Sequence, residues 1–133
     1  MAFEFVKSQS APNAPDLIYL PCTTSETFKV GETLIKSSGK LTKCSGTNVP
    51  EFICMADYVA PSSNAKDIPV TEILPGQYWT APLQASGASL NVGDKVTIHT
   101  DGLQITATTT SGVVEIVNIP NTAVGSKVLV KLS

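Results

Sequence analysis

The sequence predicts a single all-β domain, a small barrel or sandwich, behind an extended N-terminal arm. Three observations lead to this prediction. Short runs of β-forming residues recur about every ten residues, turns that contain Gly or Pro separate them, and no stretch has the apolar period of an amphipathic helix. The 133 residues fit one domain, and the 42% of hydrophobic residues are enough for its core.

Residues 1–16 are predicted to form the arm, and residues 17–133 the domain. The arm starts with an apolar tip, Phe3, Phe5 and Val6, and continues into a polar stretch with two prolines. Because proline lacks an amide hydrogen and biases the residue before it towards extended backbone, we expect no strand or helix here. The tip is either a frayed terminus or a segment that becomes ordered on a partner.

The domain is expected to hold about eight to ten strands. The continuous apolar run 52–56 suits a strand buried on both faces, although its length alone does not exclude a helical turn. Pro69 restricts the strand at 68–74 to a sheet edge or a strand start. Asp101-Gly102 is the strongest hairpin signal. The predicted strands are residues 17–20, 33–36, 40–44, 52–56, 68–74, 77–83, 95–100, 103–109, 113–117 and 127–132.

A turn signal, Val-Gly-x-x-(Val/Leu), occurs three times, beginning at Val30, Val92 and Val124. Glycine supplies a backbone angle that other residues avoid. We expect the valine to anchor the end of a loop and the later apolar residue to begin a strand that faces inward. The three segments are therefore predicted to be corners of the fold.

The sequence offers no constellation for catalysis or for a metal or cofactor. General acid–base chemistry needs carboxylate pairs or a histidine beside a nucleophile. The only histidine, His99, alternates with apolar residues and is expected on the polar face of a strand. Cys22, Cys44 and Cys54 lack the spacing of a metal site, so we expect buried free thiols, with a disulfide as the less favoured reading. The chain is predicted not to be an enzyme.

Charge and hydropathy argue against nucleic-acid and membrane partners. All nine basic residues are lysines and the net charge is −2, so neither a basic footprint nor an arginine fork is present. No stretch approaches the length of a membrane span, and the start lacks the pattern of a signal peptide. Only 15% of residues are charged, which suits a surface that lies against other proteins.

Tyr78 and Trp79 form the most concentrated aromatic pair. Paired rings of this kind can form a platform for sugars. Strand alternation places one ring inside and one outside, however, and we expect Trp79 in the core. The pair thus keeps open an alternative function, a carbohydrate-binding or adhesin module.

The layout resembles the small capsid decoration, or head-stabilising, proteins of tailed bacteriophages. The resemblance is carried by the arm, by the corners at Val30 and Val92, and by three predicted strands, and it covers most of the chain from residue 28. It implies a β-barrel-like or β-tulip fold and homotrimers that clamp neighbouring capsomers. It also implies an arm that docks on the shell, here through Phe3, Phe5 and Val6. The strands concerned are residues 52–56, 77–83 and 127–132.

The expected function is accordingly non-enzymatic. The protein would be made in the host cytoplasm, bind the major capsid protein on the outside of the virion and stabilise the head. The alternatives are the carbohydrate-binding module and a structural protein of a phage tail or baseplate.

Overall fold

The computed structural model describes residues 2–8 and 16–132 and confirms the all-β prediction. Within these ranges the chain forms twelve strands and no helix, and all the paired strands run antiparallel. The strands are β1 (Glu4–Ser8), β2 (Leu17–Leu20), β3 (Thr27–Phe28), β4 (Thr33–Ser37), β5 (Lys40–Lys43), β6 (Phe52–Cys54), β7 (Tyr58–Val59), β8 (Ile68–Glu72), β9 (Gln77–Pro82), β10 (Lys95–Val96), β11 (Val114–Asn118) and β12 (Lys127–Lys131).

Two five-stranded sheets make up most of the domain. Sheet A has the order β1-β9-β12-β11-β10, and sheet B has the order β2-β8-β6-β4-β5. A third, two-stranded sheet pairs β3 with β7. The chain passes from sheet B to sheet A between β8 and β9, and one hydrophobic cluster holds residues of both sheets.

The middle of sheet B is buried on both faces. In β4, Ile35 packs against a hydrophobic cluster that contains residues of both large sheets. Its neighbour Leu34 faces the other way and lies in a second cluster with Phe28 and the segments around β3 and β7. Strand β6 is buried at all three of its residues, as the apolar run 52–56 predicted. Beyond that strand Met55 is exposed, so the buried run is shorter than expected.

The N-terminal segment differs from the prediction. Residues 1–16 were expected to contain no strand, but residues 4–8 form β1, which pairs with β9 at the edge of sheet A. The reason is the alternation of Phe3 and Phe5 with polar Glu4, which allows both rings to turn towards the core. The proline-containing part of the predicted arm, residues 9–15, lies outside the described residues.

The second strand of the C-terminal hairpin also differs from the prediction. The turn at Asp101-Gly102 forms, with the Gly102 N–H donating to the His99 carbonyl at 2.9 Å. The predicted strand 103–109 is reduced to isolated bridges, because Ile105 pairs with Ile98 on one side and with Leu83 on the other. Dividing its pairing between two neighbours prevents a continuous ladder.

The three Val-Gly corners have the same backbone geometry. In each, the fourth residue of the turn donates its N–H to the carbonyl of the first, and the glycine in third position has positive φ, as a type II turn requires. The φ angles are 83° at Gly31, 95° at Gly93 and 86° at Gly125. The turn hydrogen bonds join Glu32 to Lys29, Asp94 to Asn91 and Ser126 to Ala123, each at 3.1 Å.

Each corner is also attached to one residue of a neighbouring segment by two backbone hydrogen bonds. At the first corner the Gly31 N–H donates to the Cys54 carbonyl, and the Cys54 N–H donates to the Glu32 carbonyl, both at 2.8 Å. Ile116 and Leu83 serve the other two corners in the same way. This is the pairing of a G1 bulge, in which two residues oppose one.

The side chains at the corners confirm one part of the prediction and contradict another. The later apolar residues, Leu34, Val96 and Val128, are fully buried, as expected. The valines before the glycines do not anchor loops: Val30, Val92 and Val124 are all exposed. They occupy the second position of the turn, which projects away from the sheet.

We predict that Gly31→Ala destabilises the protein more than Gly93→Ala or Gly125→Ala. All three substitutions place a Cβ at positive φ, which costs about 1 kcal/mol. At Gly31 the Cβ would additionally clash with Ala2 and lie 2.9 Å from the Phe3 carbonyl oxygen, whereas at the other two glycines the space is open. Urea unfolding of the three variants measures the difference, and equal losses would contradict the prediction.

Candidate functional site

The structure places the three apolar residues of the predicted arm in different surroundings. Phe3 is 2% exposed and belongs to the core. Phe5 packs edge-on against the ring of Trp79, with 5.4 Å between ring centroids. Val6 is exposed, because a bulge between Phe5 and Lys7 leaves it outside the β1–β9 pairing. Only Val6 is therefore available to a partner while β1 remains in the sheet.

The aromatic pair divides between the two faces of sheet A, as strand alternation predicted. Trp79 is 2% exposed, and its indole N–H donates to the Gln77 side-chain oxygen at 3.4 Å. Tyr78 lies half-buried on the outer face. Since Trp79 is enclosed by the core, the two rings do not form a joint platform.

The edges of the two large sheets differ in how they are protected. Strand β1 carries charged Glu4 and Lys7 and a bulge, features that hinder pairing with another chain. Strand β10 has only two residues. Strand β5 is covered, because its Leu41 exchanges backbone hydrogen bonds of 2.9 Å with Pro21 and Thr23.

Among residues 2–8 and 16–132, strand β2 is the edge of the large sheets that nothing protects. It pairs with β8 on one side, and within the described part of the chain no strand pairs with the other side. Its sequence Leu-Ile-Tyr-Leu contains no charge and no proline. Leu17 is 51% exposed, Ile18 40% and Tyr19 64%. We call these three residues the β2 surface.

An apolar cleft continues this surface towards β1. Thr71, which pairs with Leu17 across β2 and β8, is one of the residues that line a cleft of about 320 Å³ between the two sheets. The other lining residues are Phe3, Glu4, Phe5, Val30, Gly31, Met55 and Trp79.

The cysteines are free and buried, as predicted, and the disulfide reading is wrong. Each thiol donates a hydrogen bond to a backbone carbonyl: Cys22 to Lys66, Cys44 to Asn48 and Cys54 to Ala56. Burial raises the pKa of Cys44 to about 12 and that of Cys54 to about 11, and it also raises the pKa of Cys22. High pKa values keep the thiols in their unreactive protonated form.

His99 and the carboxylates do not assemble into a metal site. His99 is half-buried, and its backbone N–H bonds to Gln104 at the base of the hairpin. Among residues 2–8 and 16–132, no three His, Cys, Asp or Glu side chains lie close enough together to hold a metal ion.

Glu32 is a buried carboxylic acid that the sequence did not indicate. It is 1% exposed, directly after the first Val-Gly corner, and the tip of the hairpin at Gly102 covers it. The Lys29 backbone N–H bonds to its carboxyl group, while its Oε2 has no hydrogen-bond partner among the described atoms. Burial raises its pKa to about 7, nearby Glu26 adds to the increase, and Lys43 opposes it.

Comparison with known proteins adds no relative: no family model matches the chain, and a search of curated proteins finds no match either. In the described ranges there is no helix long and apolar enough to cross a membrane.

We predict that stability falls as the pH rises from about 4.5 to about 7, because of Glu32. With a pKa of about 7 in the folded state and 4.5 in the unfolded state, the folded protein holds the extra proton in this window. Glu32→Gln should abolish this slope and, above pH 7, stabilise the protein by roughly 3 kcal/mol. Urea unfolding across this pH range measures both effects.

Glu72→Gln is the matched control, since Glu72 is exposed at the end of β8. It should leave the slope in place. A wild-type slope that persists in Glu32→Gln would show that another group is responsible.

Proposed function

We propose that this chain is a non-enzymatic capsid decoration protein, which binds the outer surface of a phage head and stabilises it. Its partner is the major capsid protein, its own assembly is a homotrimer, and it is made in the host cytoplasm before it joins the virion. The proposal combines the resemblance to head-stabilising proteins with one observation of this structure, the unprotected β2 surface.

The β2 surface supports this proposal because it has the properties of an interaction site. It also carries a risk of unwanted pairing with other chains. An exposed apolar edge strand exposes unpaired backbone groups that pair readily with other chains, so natural proteins usually protect such edges. Here β1, β5 and β10 are charged, covered or short, and only β2 is uncharged and open within the described residues. A capsid strand added to β2 would gain backbone hydrogen bonds and contacts with Leu17 and Tyr19.

We therefore propose β2, rather than the arm, as the docking site. Phe3 and Phe5 were expected to contact the shell, but both pack against the core, and releasing them would expose Trp79. Deleting residues 1–16 is consequently a poor test, because it removes a strand of sheet A together with any docking function. Val6 is exposed and can contribute at the margin.

The alternatives have different support. The carbohydrate platform of Tyr78 and Trp79 loses its basis, since Trp79 is buried. A tail or baseplate structural protein would use an open edge strand equally well, and the particle to which the chain binds distinguishes that role from decoration.

We predict that Tyr19→Lys and Leu17→Lys each reduce binding to expanded heads of the phage that encodes the protein by at least about tenfold. A lysine on the edge strand introduces a charge that the interface would have to bury. Co-sedimentation with purified heads over a range of protein concentrations gives the affinity, and light scattering gives the oligomeric state.

Val124→Lys is the matched control, because Val124 is 67% exposed, close to the 64% of Tyr19, but lies on a corner. Its binding should equal that of the wild type. If all three variants bind alike, the β2 surface is not the docking site. A wild-type protein that never sediments with heads would refute decoration, and a monomer in light scattering would refute the trimer.

A further inference from the structure

A row of charged residues crosses the outer face of sheet A. Lys7 pairs with Tyr78, Lys131 with Glu115, and Glu115 with Lys95. Val130 pairs with buried Trp79, so the residues next to them, Lys131 and Tyr78, are neighbours on the outer face. The row therefore contains one residue from every strand of the sheet, in the order Lys7, Tyr78, Lys131, Glu115 and Lys95. We call it the lysine row.

The bulge at Val6 places Lys7 at the β1 end of this row. On its core side Phe5 pairs with Trp79 and points inward; on its other side Lys7 pairs with Tyr78 and points outward. Trp79 and Tyr78, which are consecutive in β9, thus pair with Phe5 and Lys7 of β1, and Val6 between these two stays unpaired. If Val6 paired with Tyr78 in a regular ladder, Lys7 would oppose buried Gln77 instead.

Tyr78 holds two of the lysines in place. The Lys7 Nζ lies 5.2 Å from the centre of the Tyr78 ring, and the Lys131 Nζ lies 5.3 Å from it. Attraction between an ammonium group and an aromatic ring restricts where each lysine points. The ring therefore orders two like charges that would otherwise separate in solvent.

The row is more basic than the rest of the protein. It contains three lysines and one glutamate, whereas the whole chain has a net charge of −2. Glu115 lies between Lys131 and Lys95, and it is the row's only acidic member. Such a surface attracts anions, and its lysines occupy the first, third and fifth strands of the sheet.

The spacing of the lysines distinguishes between two kinds of polyanion. Neighbouring strands are about 4.8 Å apart, so lysines on alternate strands are roughly 10 Å apart. An acidic peptide in extended conformation repeats its side chains on one face about every 7 Å, and these would fall out of step with the row. A polysaccharide with a charged sugar in each disaccharide repeats over about the length of two sugars and can keep in step.

We propose that the lysine row binds a linear anionic polysaccharide that carries a carboxylate on every second sugar. The carboxylates pair with Lys7, Lys131 and Lys95. The intervening sugars lie over Tyr78 and Glu115, and the Glu115 carboxylate accepts hydrogen bonds from sugar hydroxyls. This surface shares no residue with the β2 surface, so the inference is independent of capsid binding.

The test measures binding of the purified full chain to a polysaccharide that alternates a uronic acid with a neutral sugar, by calorimetry at low and physiological ionic strength. The wild type should bind, more weakly in salt. The double variant Lys7→Gln/Lys131→Gln should lose about tenfold in affinity, as expected for two exposed ion pairs. Glu115→Gln should bind more tightly, because the amide oxygen still accepts the hydroxyl hydrogen bonds while the repulsion of the sugar carboxylates is lost. Misfolding cannot produce such a gain.

The control double variant is Lys36→Gln/Lys40→Gln, which removes the same charge from sheet B. Lys36 matches Lys7 closely, because its Nζ lies 5.3 Å from the centre of the Phe52 ring. Its affinity should equal that of the wild type. An equal loss in the control would overturn the proposal in favour of general charge attraction. Equal or tighter binding of poly-L-glutamate would overturn it in favour of an acidic polypeptide. Absence of binding to the uronic acid polymer would overturn it outright.

Discussion

The backbone of residues 31–33 connects three parts of the molecule, and the joining of the two sheets depends on it. The Gly31 carbonyl accepts the Phe3 N–H at 3.1 Å, while the Gly31 N–H donates to Cys54 in β6. Thr33 donates its N–H to the Gly102 carbonyl, and its hydroxyl lies 3.0 Å from the carbonyls of both Gly102 and Cys44. One short segment thereby binds the N-terminus, the middle of sheet B and the C-terminal hairpin. Glu32 is buried because it lies at this crossing.

The layering of the domain determines which surfaces remain for recognition. Sheet B has sheet A on one face and the segments around β3 and β7 on the other, so it can offer only its edges. The outer face of sheet A carries exposed and half-buried side chains, among them Lys7, Glu115 and Lys131. The β2 surface and the lysine row are therefore the two kinds of exposure that this arrangement permits, one at an edge and one on a face.

The sequence was a reliable guide where the signal is local. The bounds of β2 and the hairpin of β4 and β5 agree with it, since alternation and turn residues lie within a few positions of each other. It also separated Trp79 from Tyr78 correctly. The two-residue strands β3 and β7 were missed because they are too short to show a period.

Features that depend on long-range register were out of reach. Strand β1 was hidden by the proline-containing stretch after it, although the alternation of Phe3 and Phe5 was a usable signal. Nothing near Glu32 in the sequence indicates that Gly102 covers it. Predicting the lysine row requires the pairing of five strands and the position of one bulge. Predicting the β2 surface requires knowing that β2 is an edge strand.

The bulge at Val6 separates the two ends of a five-residue strand into independent parts. The part before it is constrained by the core, because Phe5 must fit against Trp79. After the bulge, Lys7 lies exposed on the outer face beside Tyr78, so Lys7 can change without disturbing the core packing. Mutation can accordingly diversify what the outer face recognises while the scaffold stays constant. This freedom depends on Val6 staying unpaired, since a β1 in which Val6 paired with Tyr78 would bring Lys7 into line with the interior.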